Sequence, residues 1–197
     1  MSEQMQNQTQ TDPLSAVRQS DEIFRSVLKN VTREQLDSPT VNDLWDLRRT
    51  ISHVIWGNYW AAGNLRTGNA DYRDEDAIGD RDPMEVYVES FDEMIAAANE
   101  PGNMERTLES PFLGGAPASL MITFRESELV HHAWDVAKAT GQDCNLAPEL
   151  CTAMLNAWQG QMETEESRMG QFKMPAVAPE GASPADKLNA YLGKPVG

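Results

Sequence analysis

The chain predicts an all-α fold, and three observations carry that prediction. Segments whose apolar residues recur every three to four positions occupy most of the sequence, as amphipathic helices require. Helix-start signals recur as well: Asp12-Pro13, Asp82-Pro83, Ala147-Pro148 and Ser183-Pro184 each put proline at a first helical position, three of them behind a capping side chain. Strand-like alternation is confined to Thr107-Leu108-Glu109-Ser110, and Pro111, Gly114, Gly115 and Pro117 break the chain immediately after it.

Residues 1–12, rich in Gln, Asn and Thr, read as a disordered polar tail, and 13–197 as a single domain with a C-terminal arm and a short last helix. The first helix is expected from Pro13 to about Asn30. Leu14, Val17, Phe24, Val27 and Leu28 fall near one side, with Ile23 flanking, and Arg18, Glu22, Arg25 and Lys29 fall outside it. Thr32-Arg33-Glu34-Gln35 is a capping-box pattern for a single short turn. The second helix is expected over Leu47 to Thr67, with Asp46 as N-cap and Gly68 as C-cap. Ile51, Val54, Ile55 and Leu65 supply its core side; Arg49, His53, Trp56 and Trp60 form an adjacent stripe that plain aromatic packing would also explain. Residues 69–81 read as a charged surface loop.

Pro83 to Asn99 forms the third predicted helix, with Val86, Phe91, Met94 and Ile95 among its apolar positions and Pro101-Gly102 ending it. Residues 105–117 read as a long connection with a hairpin at most. The fourth helix is expected over Ala118 to Thr140, capped by Gly141. Its apolar residues, Leu120, Phe124, Leu129, Val130, Trp134 and Ala137, spread over much of the circumference, which predicts burial on more than one side. A fifth helix is expected from Pro148 to about Glu163, with Leu150, Met154, Ala157 and Trp158 inward. An extended Pro/Gly/Ala-rich arm over 170–184 leads to a last helix, Pro184 to Leu192, capped by Ser183 and stopped by Gly193.

A formal net charge of -15 argues against nucleic acid and anionic membrane as partners, since both select basic patches. The apolar runs are short for a bilayer span and the N-terminus lacks a cationic, apolar leader, so the chain is expected in the cytoplasm. Cys144 and Cys151 read as structural, without Cys-x-x-Cys spacing or an oxidising compartment.

The chemistry concentrates in Glu128-Leu129-Val130-His131-His132, which holds two of the three histidines. Residues four apart share a helix face, so Glu128 and His132 can offer a carboxylate oxygen and an imidazole nitrogen to one ion. A catalytic zinc site takes three protein ligands and keeps one position open, and His53 is the remaining histidine. The competing explanation is a hydrogen-bonded Glu–His pair on a solvated face. Glu128-x-x-His131 is also an acceptable ligand spacing, although a di-iron site would need a second such motif, and the chain has none.

Together these motifs resemble the DinB-like metal-binding four-helix bundles, in the actinobacterial branch related to mycothiol-dependent maleylpyruvate isomerase. The resemblance rests on Trp45-Asp46-Leu47-Arg48 leading to His53, and on Glu128-x-x-x-His132-x-Trp134-Asp135-x-Ala137-x-Ala139-Thr140-Gly141. Its C-terminal part is Phe172-x-x-Pro175, then Ala182-Ser183-Pro184-x-Asp186-x-Leu188 and Tyr191-Leu192-Gly193-Lys194. It implies an up-down-down-up bundle with additional C-terminal helices, and His53, Glu128 and His132, rather than His131, as ligands of a divalent metal, commonly zinc. The branch often carries Cys-Pro-Gly or Cys-Pro-Glu before the Trp, where this chain has Val41-Asn42-Asp43-Leu44. The implied activity is a mycothiol-like thiol-dependent transferase or isomerase acting on an electrophilic small molecule. A metal-dependent hydrolase and a non-catalytic metal- or ligand-binding protein are the alternatives. Arg49 and Asp135 are the candidate catalytic residues, Trp56 and Trp60 the candidate cofactor-binding ones. Asp135 is the expected orienter of a ligating imidazole, with pairing to Lys138 as the alternative. The chain is compatible with a homodimer.

Overall fold

The computed structural model describes residues 12–42, 44–109, 113–168 and 170–197. The polar-tail reading lies outside these residues apart from Asp12, and so does the break at Pro111. The described residues form six α-helices: α1 (Ser15–Leu28), α2 (Leu47–Thr67), α3 (Pro83–Asn99), α4 (Leu120–Thr140), α5 (Pro148–Trp158) and α6 (Pro184–Tyr191). One 3-10 helix, Arg33–Asp37, carries the Thr32/Gln35 capping box. Among these residues β-pairing is limited to two isolated bridges, Pro39 with Asp46 and Thr107 with Pro117. The second bridge, flanked by backbone bonds from Leu108 N–H to Ala116 O, Gly115 N–H to Leu108 O and Ala118 N–H to Arg106 O, is the pairing expected over 105–117, of which 110–112 lie outside the described residues.

The caps explain the helix ends. The Asp46 carboxylate accepts from the Arg49 N–H, and Gly68 closes α2 at φ 79°, so both ends fall where the sequence put them. Asp82 accepts from the Met84 and Glu85 N–H groups ahead of Pro83, and Ser183 accepts from the Asp186 N–H ahead of Pro184. Several ends differ from expectation, α4 among them, which begins at Leu120 rather than Ala118. Asp12 caps the Leu14 N–H at 2.9 Å, but the regular turns of α1 begin only at Ser15. The fifth helix stops at Trp158 rather than near Glu163, and the chain turns through Gly160 at φ 84°.

Cross-links between helices fix their directions. Along α2 and α3, Asn58 bonds Ser90 and Arg66 pairs with Glu93 and Glu100, so the two run parallel. Along α2 and α4, His53 meets Glu128 and Asn58 meets Arg125, so these two are antiparallel. Gln142, just beyond α4, bonds the Val27 carbonyl at the end of α1, which makes α1 parallel to α4. The order is up-down-down-up. Two parallel neighbours in sequence need a connection that returns along the bundle, and residues 68–82 provide it.

A single cluster of buried side chains from the four long helices fills the bundle, with Phe24, Ile51, Ile55, Leu65, Met94 and Leu129 among them. A second cluster lies on the other side of α4, where Val130 and Trp134 meet Cys151 and Met154 of α5 and Ala185 and Leu188 of α6. The Trp134 indole donates to Asp186 at 2.9 Å and pins α6 to α4. Helix α4 is thus covered on two sides, as its scattered apolar residues required. Two expected core positions are corrected: Phe124 keeps 38% of its surface and Ala157 is exposed, because the outer cluster takes Val130 and Trp134 from α4 and α5 is buried only along Cys151 and Met154.

Candidate metal centre

His53 sits in the second turn of α2, directly across from the middle of antiparallel α4. That crossing brings His53 Nε2 to 3.1 Å from Glu128 Oε2, and His132 Nε2 to 3.4 Å from the same oxygen. The three ligand atoms lie within 4.8 Å of one another, a spread that one divalent cation can span. The arrangement requires His132 to stay on the Glu128 face, four residues along the helix.

Each of the three groups is steadied on its far side. The Tyr72 hydroxyl is 2.6 Å from His53 Nδ1. The Asp135 carboxylate accepts from His132 Nδ1 at 2.8 Å. His131 Nε2 lies 3.2 Å from the second Glu128 oxygen, Oε1. A metal-binding imidazole held by a carboxylate or hydroxyl through its other nitrogen is the arrangement that fixes tautomer and ring direction. His131, one position round the helix, stands beside Glu128 instead of joining His53 and His132 at Oε2.

Two cations flank these carboxylates. Arg125, wholly inside the bundle, donates from Nε to Asn58 Oδ1 and from Nη2 to the Val54 carbonyl, and its Nη1 lies 3.8 Å from Glu128 Oε2. Gly57 makes room for it: a Cβ there would overlap the Arg125 guanidinium. Lys194, beyond the end of α6, donates to Asp135 Oδ2 at 2.8 Å and to the His131 carbonyl at 3.1 Å. Its Nζ is also 3.2 Å from His131 Nδ1.

The electrostatics follow from burial and these partners. Burial would raise the Glu128 pKa, but His131, His132 and His53 together hold it well below the carboxylate range. Asp135 is likewise held down, with Lys194 and His132 outweighing burial. Burial pushes His131 down to about 3, helped by the charges of His132 and Lys194. For His132 burial acts downward too, but hydrogen bonds to Asp135 and Glu128 raise its pKa. Burial lowers His53 and leaves its imidazole as a neutral donor of electron pairs. Two imidazole nitrogens and a carboxylate oxygen form a donor set of the kind that zinc and other divalent ions accept.

A cavity of about 370 Å³ opens over this cluster, within the size range of small-molecule sites. Val41, Trp45, Tyr72 and Asp74 line one side, and Phe172, Lys173, Gly193 and Lys194 the other. The second wall belongs to the arm and the segment after α6. Arg168 ties them together by donating to the Lys173 and Tyr191 carbonyls, and Gly193 packs so tightly on Lys173 that a Cβ would come within 2.6 Å of it.

Other sequence candidates lie elsewhere. Trp56 and Trp60 do not line the cavity: their indoles donate to the Glu75 and Ala70 carbonyls and fasten the 68–82 connection to α2. Both therefore stand outside the cavity, in the packing of that connection. Trp45 takes the place next to the cluster, its ring 4.7 Å from that of His53. Arg49 stands one step outside, paired with Asp74 at 2.6 Å and resting on the Trp45 ring, so its charge is already met. Asp135 pairs with Lys194, whereas Lys138 reaches the Gly197 carbonyl. Tyr72 and Arg125 had no signal in the sequence beyond residue type, and Lys194 only its place in the C-terminal motif.

Fold and cluster together define a helical bundle with a His/Glu/His centre at the α2–α4 crossing. The chain belongs to the family described as mycothiol maleylpyruvate isomerase N-terminal domain, which matches residues 17–137. Two uncharacterized proteins of Mycobacterium tuberculosis, MT0763 and Rv0738, are each 32% identical over 190 residues, covering 94% of this chain and 99% of theirs. Among solved structures, the crystal structure of the mycothiol-dependent maleylpyruvate isomerase aligns with a TM-score of 0.61. It is 16% identical and covers 78% of this chain and 70% of that one, a likeness of fold. The DinB-like bundle and the isomerase branch expected from the motifs are therefore this chain's fold and family.

Proposed function

We propose that the protein is a divalent-metal-dependent enzyme of small-molecule chemistry, using a low-molecular-weight thiol such as mycothiol for transfer to, or isomerisation of, an electrophilic substrate. The observation that carries the reading is the convergence of His53 Nε2 and His132 Nε2 on Glu128 Oε2 beneath a cavity. His53, Glu128 and His132 would hold the ion, zinc by preference. When bound it supplies Lewis acidity, lowering the pKa of a thiol so that sulfur is presented as the nucleophile.

The chain's own residues do the rest. Tyr72 and Asp135 aim the two imidazoles, and His131 fixes the carboxylate. Trp45 and Phe172 exclude water from opposite sides. The chain's own sulfurs are poor substitutes for an external thiol: Cys151 is buried against α6 with its thiol pushed up to about 11 by burial. Cys144 is also raised by burial and bonds to the Gln142 carbonyl. We read the setting as cytoplasmic, where such a thiol is kept reduced.

Metal content of protein purified without a histidine tag tests the first half. One equivalent is expected for the wild type and a small fraction of it for H132A. Titration of the cobalt form with mycothiol tests the second. An intense sulfur-to-cobalt charge-transfer band is expected, and its absence at saturating thiol would sink the thiol reading while leaving the metal centre standing.

A further inference from the structure

We propose that Lys194 is a positioning residue of the metal centre, its single ammonium fixing both Glu128 and His132 through the residues behind them; this rests on the metal reading above. An ammonium only donates. His131 Nδ1, 3.2 Å from Lys194 Nζ, must therefore accept, and a neutral His131 then carries its proton on Nε2. That proton points at Glu128 Oε1, 3.2 Å away, which leaves Oε2 for the ion. The second branch starts from the same atom. Lys194 donates to Asp135 Oδ2 at 2.8 Å, and that same oxygen accepts from His132 Nδ1 at 2.8 Å, which turns His132 Nε2 towards Glu128.

One ammonium thus selects the tautomer of one histidine and, through a carboxylate, the tautomer of the next. A third bond, to the His131 carbonyl at 3.1 Å, holds Nζ against α4. The lysine is presented by a rigid base: Gly193, at φ 85°, packs directly on Lys173, and Arg168 clasps the Tyr191 carbonyl just before it. The arrangement gives the C-terminal helix a chemical task besides covering α4. The centre's geometry depends on a segment that contributes no ligand to it.

The test compares wild type, K194M and K194R by cobalt and zinc competition titration and by the cobalt d–d spectrum. K194M keeps the length of the side chain and removes its donors. Its metal affinity should fall about 10- to 100-fold, the range for loss of an outer hydrogen-bond partner, and its d–d bands should shift. K194R should recover part of the affinity, since a guanidinium keeps the charge but not the ammonium geometry. Combining K194M with D135N should cost less than the product of the single effects, because both act on one branch. Wild-type affinity and spectrum in K194M overturn the proposal alone; a wild type that binds no cobalt overturns the metal reading and this inference with it. Where K194M fails to fold, long-range 1H–15N correlation of the zinc-loaded wild type decides. A proton on His131 Nε2 with Nδ1 bare supports the proposal, and a proton on Nδ1 overturns it.

Discussion

Glu128 uses its two oxygens for different things: Oε2 faces His53 and His132, and Oε1 faces His131. That division makes two single substitutions informative. Asp135→Asn keeps the shape of the His132 partner but weakens its acceptor, and metal affinity should fall ~10-fold or more; an unchanged affinity in a competition titration would assign Asp135 to holding Lys194 alone. His131 gives a pH signature in the metal-free protein. Its folded pKa is about 3, so between that value and about 6.5, where an unfolded histidine titrates, only the unfolded chain takes up the proton. This group therefore adds stability as the pH rises through that window. Urea midpoints at stepped pH should show a shallower slope for His131→Gln than for wild type. The meeting of His53, Glu128 and His132 was legible in the sequence because Glu128 and His132 share a face and one histidine remained. The place of His131 beside Glu128 was legible too, since residues three apart are neighbours on a helix; that it meets Oε1, and not the oxygen His53 and His132 share, was not.

At the scale of elements, α2 and α4 meet through a buried cation as well as through apolar packing. Gly57 admits the Arg125 guanidinium, which then bonds Asn58 and the Val54 carbonyl across the interface. Gly57→Ala would improve helix propensity and still destabilise the protein, because the added methyl overlaps a group fixed by two bonds. A loss of about 1–3 kcal/mol in urea unfolding is expected, together with weaker metal binding as Glu128 shifts. The ends of α2, α3 and α6 were readable from single punctuating residues, Asp46, Gly68, Asp82 and Ser183, since a cap is a local event. The fifth helix was overextended because Gln161 to Glu163 continue the composition of a helix, while its stop depends on a turn through Gly160. That Trp56 and Trp60 pack on the 68–82 connection was not readable, because a helical stripe tells which residues share a side, not which neighbour covers it.

Across the whole molecule, two clusters of buried side chains share α4 as their common wall. Cys151 reports on the outer one: it is 1% exposed and packed with α6 residues, so a thiol reagent should modify it far more slowly than half-buried Cys144. Ala185→Asp would put a charge in that cluster, and Cys151 should then react at a rate approaching that of an exposed thiol while the helical CD of the bundle persists. Equal rates in wild type and variant would mean that α6 is not what protects it. The contribution of the arm to the cavity was invisible in the sequence, because Phe172 and Lys194 reach His131 only after α5 and α6 have folded against the far side of α4.

Residues 129–137 of α4 are buried without interruption, over more than two turns. Ordinary surface helices keep one stripe where sequence can drift without consequence. This stretch keeps none, since every position answers to the bundle, to the outer helices or to the ligand cluster. In a saturation library scored for retained fold, the tolerated substitutions at 129–137 should be few and nearly all conservative, while exposed Glu85 and Asp92 of α3 accept most residues. Descendants of this chain would then be recognisable longest by that segment, even where the walls of the pocket have been rebuilt for a different substrate.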